Sequence, residues 1–263
     1  MNRIDTKFRQ VKQNRQKTFI AYITAGDPTL AVTKKLVPVL EKAGVDIIEL
    51  GIPFSDPLAD GPTIQAASQR ALKAGVNLAK IFSAVKGLRK TTQVPIAFMT
   101  YYNPVLQYGP ARFISDCNRY GVDGVIIPDL PCEEAKELVT LGRRARVATI
   151  FLAAPTSTKE RIRNIARDST GFIYYVSLTG VTGARRKLPP EITQKVRLIK
   201  SMTKKPVCIG FGVSTPEQAK QMVKIADGVI VGSAIVKIIA ANKNPVLAVE
   251  RFAEKMAKAI HGK

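Results

Sequence analysis

A chain of 263 residues with 46% hydrophobic and 23% charged residues can bury a large core and is too apolar to be disordered. No Pro/Gly/Ser-rich or charge-rich linker divides it, so a single domain spanning 1–263 is expected. The N-terminal stretch MNRIDTKFRQVKQNRQKT is basic and polar, and no apolar run approaches the roughly 20 residues of a spanning helix, so no membrane segment is expected.

The formal net charge of +21 is the outlying property, with basic runs at Arg143-Arg144-Ala145-Arg146, 161–167 and Arg185-Arg186-Lys187. Such charge can attract an anionic substrate, an acidic partner or nucleic acid. Its dispersion over helical segments without interleaved aromatics reads instead as a solvated basic surface. Cys117, Cys132 and Cys208 lie far apart with no CxxC or Cys/His spacing, which supports neither a disulfide framework nor a zinc site. A reducing compartment is expected, the cytoplasm or an organelle such as a plastid.

In chain order, apolar runs of strand length occupy 18–26, 45–51, 94–101, 124–130, 148–154, 171–177, 206–212 and 227–232. They are nearly continuous in apolar residues, as parallel strands covered on both faces are. The segments between them carry helical spacing, for example Leu36, Leu40 and Ala43, or Phe113, Cys117 and Tyr120. Eight strand-then-helix units in a chain of this length fit a closed (β/α)8 barrel, with a helix before the first strand and a short helix, 234–241, after the last. In that fold the chemistry sits where strands end and βα loops begin.

Elimination narrows the chemistry. The one histidine, His261, is on the terminal helix, so imidazole is unavailable to a barrel-mouth site, and no strand segment contains a lysine for a Schiff base. Carboxylates stand at or just beyond strand ends: Glu49, Asp60 in the long loop IPFSDPLADGP, and Asp129. Asp46 has the opposite side-chain parity to Glu49, so the two point to opposite faces of the strand. Glu49 shares parity with Ile47 and Gly51. A glutamate inside an apolar barrel is costly to ionise, and the raised pKa suits a general acid.

A phosphate cradle is readable in the later loops. Gly180-Val181-Thr182-Gly183-Ala184, Phe211-Gly212-Val213-Ser214 and Gly232-Ser233-Ala234 follow consecutive strands, and the last opens the short helix. Glycines let backbone N–H groups approach an anion, which a helix N-terminus also favours. The long loops 52–63 and 178–187 have the length of lids.

The segment ELGIPFSDPLADGPTIQAASQRAL (49–72) resembles the signature of the tryptophan synthase alpha family. FIAYITAGDP, GVTGA, GFGVSTPEQ and VGSAIVKII recur in the family's order, so the resemblance runs through most of the chain. It implies retro-aldol cleavage of indole-3-glycerol phosphate to indole and glyceraldehyde 3-phosphate, a lyase reaction of tryptophan biosynthesis. It puts the acid-base role on Glu49, the indole N–H contact on Asp60, a tyrosine near the reacting carbon on Tyr174 and the lid threonine on Thr182. Phosphate ligands fall on Gly183, Gly212, Gly232 and Ser233, and the indole wall on Tyr22, Ile64, Met99, Ile126 and Phe211. Tyr22 stands where the family often has phenylalanine, which brings a hydroxyl into that wall.

The resemblance also implies no metal and no organic cofactor in this subunit, the pyridoxal phosphate belonging to a beta subunit in an α2β2 heterotetramer. Pro53, Asp56 and Pro57 would face that partner, and the basic excess of this chain would ask for a correspondingly acidic one. Other readings are a stand-alone indole-glycerol phosphate lyase, a weakly active alpha subunit serving as allosteric partner, a phosphosugar isomerase barrel and a nucleic-acid binder.

Overall fold

The computed structural model describes residues 2–176, 189–210 and 212–262. In chain order α1 (Arg3–Gln13) precedes β1 (Thr18–Thr24), α2 (Leu30–Lys42) and β2 (Ile47–Gly51). Helices α3 (Pro62–Lys73) and α4 (Leu78–Leu88) lead to β3 (Ile96–Met99), and α5 (Tyr102–Tyr108) and α6 (Pro110–Tyr120) lead to β4 (Gly124–Ile126). Then come α7 (Lys136–Ala145), β5 (Ala148–Ile150), β6 (Leu152–Ala153), α8 (Lys159–Asp168) and β7 (Ile173–Val176). The chain continues through α9 (Pro190–Met202), β8 (Val207–Gly210), α10 (Pro216–Met222), β9 (Gly228–Val231), α11 (Ser233–Ala241) and α12 (Pro245–His261).

The helices begin where local chemistry stops the preceding loop. Asn2, Thr29, Asn77, Thr158 and Thr215 each accept a hydrogen bond from a backbone N–H of the first turn. Proline, which lacks the donor that is orphaned there in any case, opens α3, α6 and α12.

All strands pair in parallel, in the order β5-β4-β3-β2-β1-β9-β8-β7-β6. The two ends of that order, β5 and β6, are separated only by Phe151, so the sheet closes on itself through its own chain. The alternation of faces runs unbroken across the join: Ala148, Ile150 and Leu152 face the barrel interior, and Phe151 and Ala153 face the helices. The nine short strands are thus the eight of a (β/α)8 barrel with the fifth interrupted. The observed strands are shorter than the apolar runs, whose end residues lead into the turns, although some of them still bond across to the neighbouring strand, as Ala25 N does to Gly51 O (2.8 Å) and Thr100 N to Ile126 O (3.0 Å).

Alternation sorts the whole core into two layers. Phe19, Ile23, Ile48, Leu50, Phe98, Val125, Tyr175 and Val229 pack outward against the helices. Ile20, Ile47, Ala97, Ile126, Tyr174, Cys208 and Ile230 point inward, joined from below by Ile4 and Phe8 of α1, which closes the barrel's N-terminal end. The carboxylates at that closed end are structural. Asp123 pairs with Arg3 (2.9 Å) and Arg89 (2.8 Å), and Asp46 accepts from Phe19 N (2.9 Å) and meets His261 Nε2 at 2.9 Å. Asp46 and Glu49 therefore do face opposite ways. Among the described residues no helix is long and apolar enough to cross a membrane.

Candidate active site

The open, C-terminal end of the barrel gathers the inward-facing residues of β1, β2, β3 and β7. Tyr22 and Glu49 are register partners on β1 and β2, and the next position across, on β3, is Ala97, small enough to leave space beside the carboxyl. Tyr22 packs with Ile64 and Ala67 of α3, Val236 of α11 and Met99 of β3. Its hydroxyl is satisfied by Thr24 Oγ1 at 3.3 Å, so it enters the apolar wall already paired. Ile126 lies deeper, in the inner layer with Tyr174. Phe211, which the sequence adds to this wall, lies outside the described residues, as do Thr182, Gly183 and the loop around them.

Two strand-end glycines make this packing possible, and sequence reasoning passed over both. A Cβ at Gly51 would stand 2.2 Å from the Tyr22 hydroxyl, and one at Gly210 would stand 2.4 Å from that of Tyr174. Each tyrosine lies across the end of its neighbouring strand in the space a side chain would fill. The only trace in the sequence is a glycine closing an apolar run, which a simple turn also explains.

Glu49 is 1% exposed, and neither carboxyl oxygen has a hydrogen-bond partner among the described residues. Burial, with a smaller contribution from Asp60, pushes its pKa up to about 8. Asp60, at the end of the loop after β2, is raised to about 6 by burial, against which a hydrogen bond from Tyr101 works. Burial first, then the charges of Glu49 and neighbouring groups, drives the Tyr174 hydroxyl well above the ordinary phenol range. The two shifts leave Glu49 the weaker acid of the pair, so it holds its proton to a higher pH than Asp60, the separation of roles that acid-base catalysis requires.

Asp129, the third strand-end carboxylate, does something else. It is exposed and accepts the Tyr102 N–H through both oxygens, at 2.9 and 3.1 Å, capping α5 from the next loop.

On the opposite wall, β8 and β9 pair through Gly210 and Ile230, which brings the loops that follow them side by side. Gly212 adopts a left-handed φ of +72°, open to glycine at little cost. Gly232 is the N-cap of α11, with no side-chain cap on the first turn, and α11 begins at Ser233, one residue earlier than expected. Among the described residues no side chain caps the first turn, whose backbone N–H groups can therefore face an anion. Among the described residues no group of three or more His, Cys, Asp or Glu is placed to hold a metal ion.

The charge has a gap. The loops after β2, β3 and β4 (52–61, 100–109 and 127–135) contain no lysine or arginine in a chain of net charge +21, yet they carry Asp56, Asp60, Asp129, Glu133 and Glu134. Leu58, 94% exposed, and Leu106, 53% exposed, stand out among them. Pro53 is buried, while Asp56 is exposed and Pro57 half-buried. This sector of the mouth is acidic and apolar, and the basic excess of the chain lies elsewhere.

A family profile described as tryptophan synthase alpha chain matches residues 8–261. The chain belongs to the tryptophan synthase alpha chain family. It is 52% identical over 237 residues to the tryptophan synthase alpha chain of Geotalea daltonii, covering 90% of each chain. It is also similar to the solved tryptophan synthase alpha subunit of Legionella pneumophila, with a TM-score of 0.91 at 39% identity, covering 99% of this chain and 98% of that one. A chain from a structural study of mutual activation in the tryptophan synthase α2β2 complex of Pyrococcus furiosus matches at a TM-score of 0.87 and 40% identity, over 92% of this chain and 98% of that one. Membership of the tryptophan synthase alpha family makes this chain a lyase of the alpha reaction, the cleavage of indole-3-glycerol phosphate in tryptophan biosynthesis.

Proposed function

We propose that Glu49 and Asp60 carry this cleavage between them, on one barrel domain and without a cofactor of its own. Protonated Glu49 delivers its proton to indole C3, and the positive charge that develops on the ring is stabilised by Asp60 accepting a hydrogen bond from the indole N–H. The Glu49 carboxylate then takes the proton of the glycerol hydroxyl on the carbon bonded to C3. As that hydroxyl becomes the aldehyde of glyceraldehyde 3-phosphate, the C–C bond breaks and its electron pair restores the aromatic indole. Glu49 ends protonated, so the cycle closes.

Tyr174 borders the reacting carbon. Tyr22, Ile64, Met99, Ile126 and Phe211 enclose the ring. Gly212, Gly232 and Ser233, with Gly183, hold the phosphate, and Thr182 belongs to the lid that covers it. The observation that carries the reading is the Glu49 carboxyl, buried in the barrel and without a hydrogen-bond partner among the described residues.

The sector formed by Pro53, Asp56 and Pro57, with Leu58 and Leu106, is read as the docking surface for a beta subunit in an α2β2 assembly, the partner holding the pyridoxal phosphate. Exposed leucines on loops that also carry acidic groups suit a partner with an apolar, basic face. Buried, unpaired Cys117, Cys132 and Cys208 fit a reducing cytoplasm.

The test is indole release from indole-3-glycerol phosphate by the purified chain, alone and with a beta subunit from a related organism. Wild-type turnover should rise with the partner and fall by about a thousandfold or more in Glu49→Gln and Asp60→Asn variants that fold normally. Unaltered turnover in Glu49→Gln would remove it from the mechanism. A high rate indifferent to the partner would make the chain a stand-alone lyase.

A further inference from the structure

Asp60 reaches the mouth on an irregular loop, and most of what holds that loop is itself local. Leu58 N donates to Asp56 O (2.9 Å), Asp60 N to Pro57 O (3.0 Å), and Gln65 Nε2 to Asp60 O (2.9 Å). One bond comes from a different part of the barrel: Ala59 N donates to the hydroxyl of Tyr101 at 3.0 Å, across 42 positions of sequence. Tyr101 follows β3, is 6% exposed and is the N-cap of α5, and its ring packs on Phe54 of the same loop with centroids 5.5 Å apart. The backbone beside it is fixed in turn, since Tyr102 N is the group that Asp129 caps.

A phenol hydroxyl has one proton to give and can accept as well. With Ala59 N donating to Oη, the Tyr101 proton is left for an acceptor, and the carboxyl of the next residue, Asp60, is the acidic group whose ionisation that hydroxyl favours. We propose that Tyr101 is a positioning residue for the cleavage reaction, one that anchors the 59–60 backbone and orients the Asp60 carboxylate toward the indole N–H. The inference rests on the role given to Asp60 and adds a residue that does not itself touch the reacting atoms. Its hydroxyl also favours the ionised carboxylate, opposing the effect of burial on Asp60.

The test removes the hydroxyl and keeps the ring. In Tyr101→Phe, kcat for indole release should fall by about 10- to 100-fold, with KM changed less than about threefold, because orientation is lost more than binding. The acid limb of the kcat/KM profile, set by ionisation of Asp60, should move to higher pH, since the carboxylate has lost a donor. Adding Tyr101→Phe to Asp60→Asn should cost little further, because the two act as a unit. Wild-type kcat with an unmoved acid limb in Tyr101→Phe would overturn the proposal. So would a loss as large as that of Tyr101→Leu with the limb unmoved, which would leave only ring packing.

An active Asp60→Asn variant would instead sink the role of Asp60, whatever Tyr101→Phe does. Hydrogen exchange on the wild-type chain provides a reading independent of variant folding. The Ala59 amide should be protected at least tenfold over its intrinsic rate, and exchange at that rate would also overturn the proposal.

Discussion

A buried carboxyl with no partner among the described residues stabilises nothing, and Glu49 makes the cost measurable. Its pKa of about 8 in the folded chain lies far above the ordinary glutamate value of about 4.3 that the unfolded chain has. Below pH ~4.3 it is protonated in both states and adds no penalty. From there to pH ~8 the unfolded chain ionises while the folded one holds its proton, so stability declines as pH rises, and above pH ~8 the full penalty is in place. Glu49→Gln keeps the size of the side chain and removes the titration. It should match the wild type near pH 4 to 5 and exceed it increasingly toward pH 9, by an amount on the order of 3–5 kcal/mol. Denaturant titrations at pH 5, 7 and 9 decide it, and a gain that does not grow with pH would mean that Glu49 is not the protonated group described. The variant that is more stable should be the inactive one, the trade expected of a strained functional residue.

At the scale of strands and helices, period-two alternation in the sequence is enough to sort the faces of the barrel strands. It put Glu49 inside the barrel and Asp46 outside, because a strand changes face at every residue and the apolar neighbours fix the phase. Strand-end position drew attention to Asp60 in the same way. What alternation cannot supply is the neighbour across the ladder. Nothing along the chain joins Ala59 to Tyr101, shows that Asp129 serves as a cap for α5, or reveals that the fifth strand is interrupted at Phe151, since each depends on elements that meet only in the closed barrel. The same holds for Gly51, whose missing side chain is filled by the Tyr22 ring. Gly51→Ala would force the Tyr22 hydroxyl from a contact of 2.2 Å and should destabilise the chain by about 1–3 kcal/mol. A smaller side chain at the other position, Tyr22→Leu, should recover part of that loss. A double variant no better than the sum of the two single changes would show that the strain is relieved elsewhere.

Over the whole molecule, the distribution of charge matters more than its total. The acidic, leucine-bearing sector after β2, β3 and β4 offers a partner both attraction and apolar area, so Asp56→Lys should weaken beta-subunit binding by about tenfold. Arg143→Glu, in the last turn of α7 and so at the opposite end of the barrel, should leave that binding unchanged. Calorimetric titrations that find the two variants equally impaired would shift the interface away from the mouth. The remaining surface, carrying the bulk of the net charge of +21, surrounds a site whose substrate bears a phosphate. A positive field over several ångströms concentrates an anion near the mouth, and added salt screens it over a Debye length of about 10 Å at 0.1 M. For indole-3-glycerol phosphate, KM should therefore rise several-fold between roughly 20 and 300 mM salt while kcat holds, because Glu49 is buried and screened from the bulk ions. Indole, which carries no charge, is the control, and its inhibition constant should stay within a factor of about two over that range. If both constants rise together, salt is acting on the fold or the lid. If neither moves, the basic surface has no part in gathering the substrate.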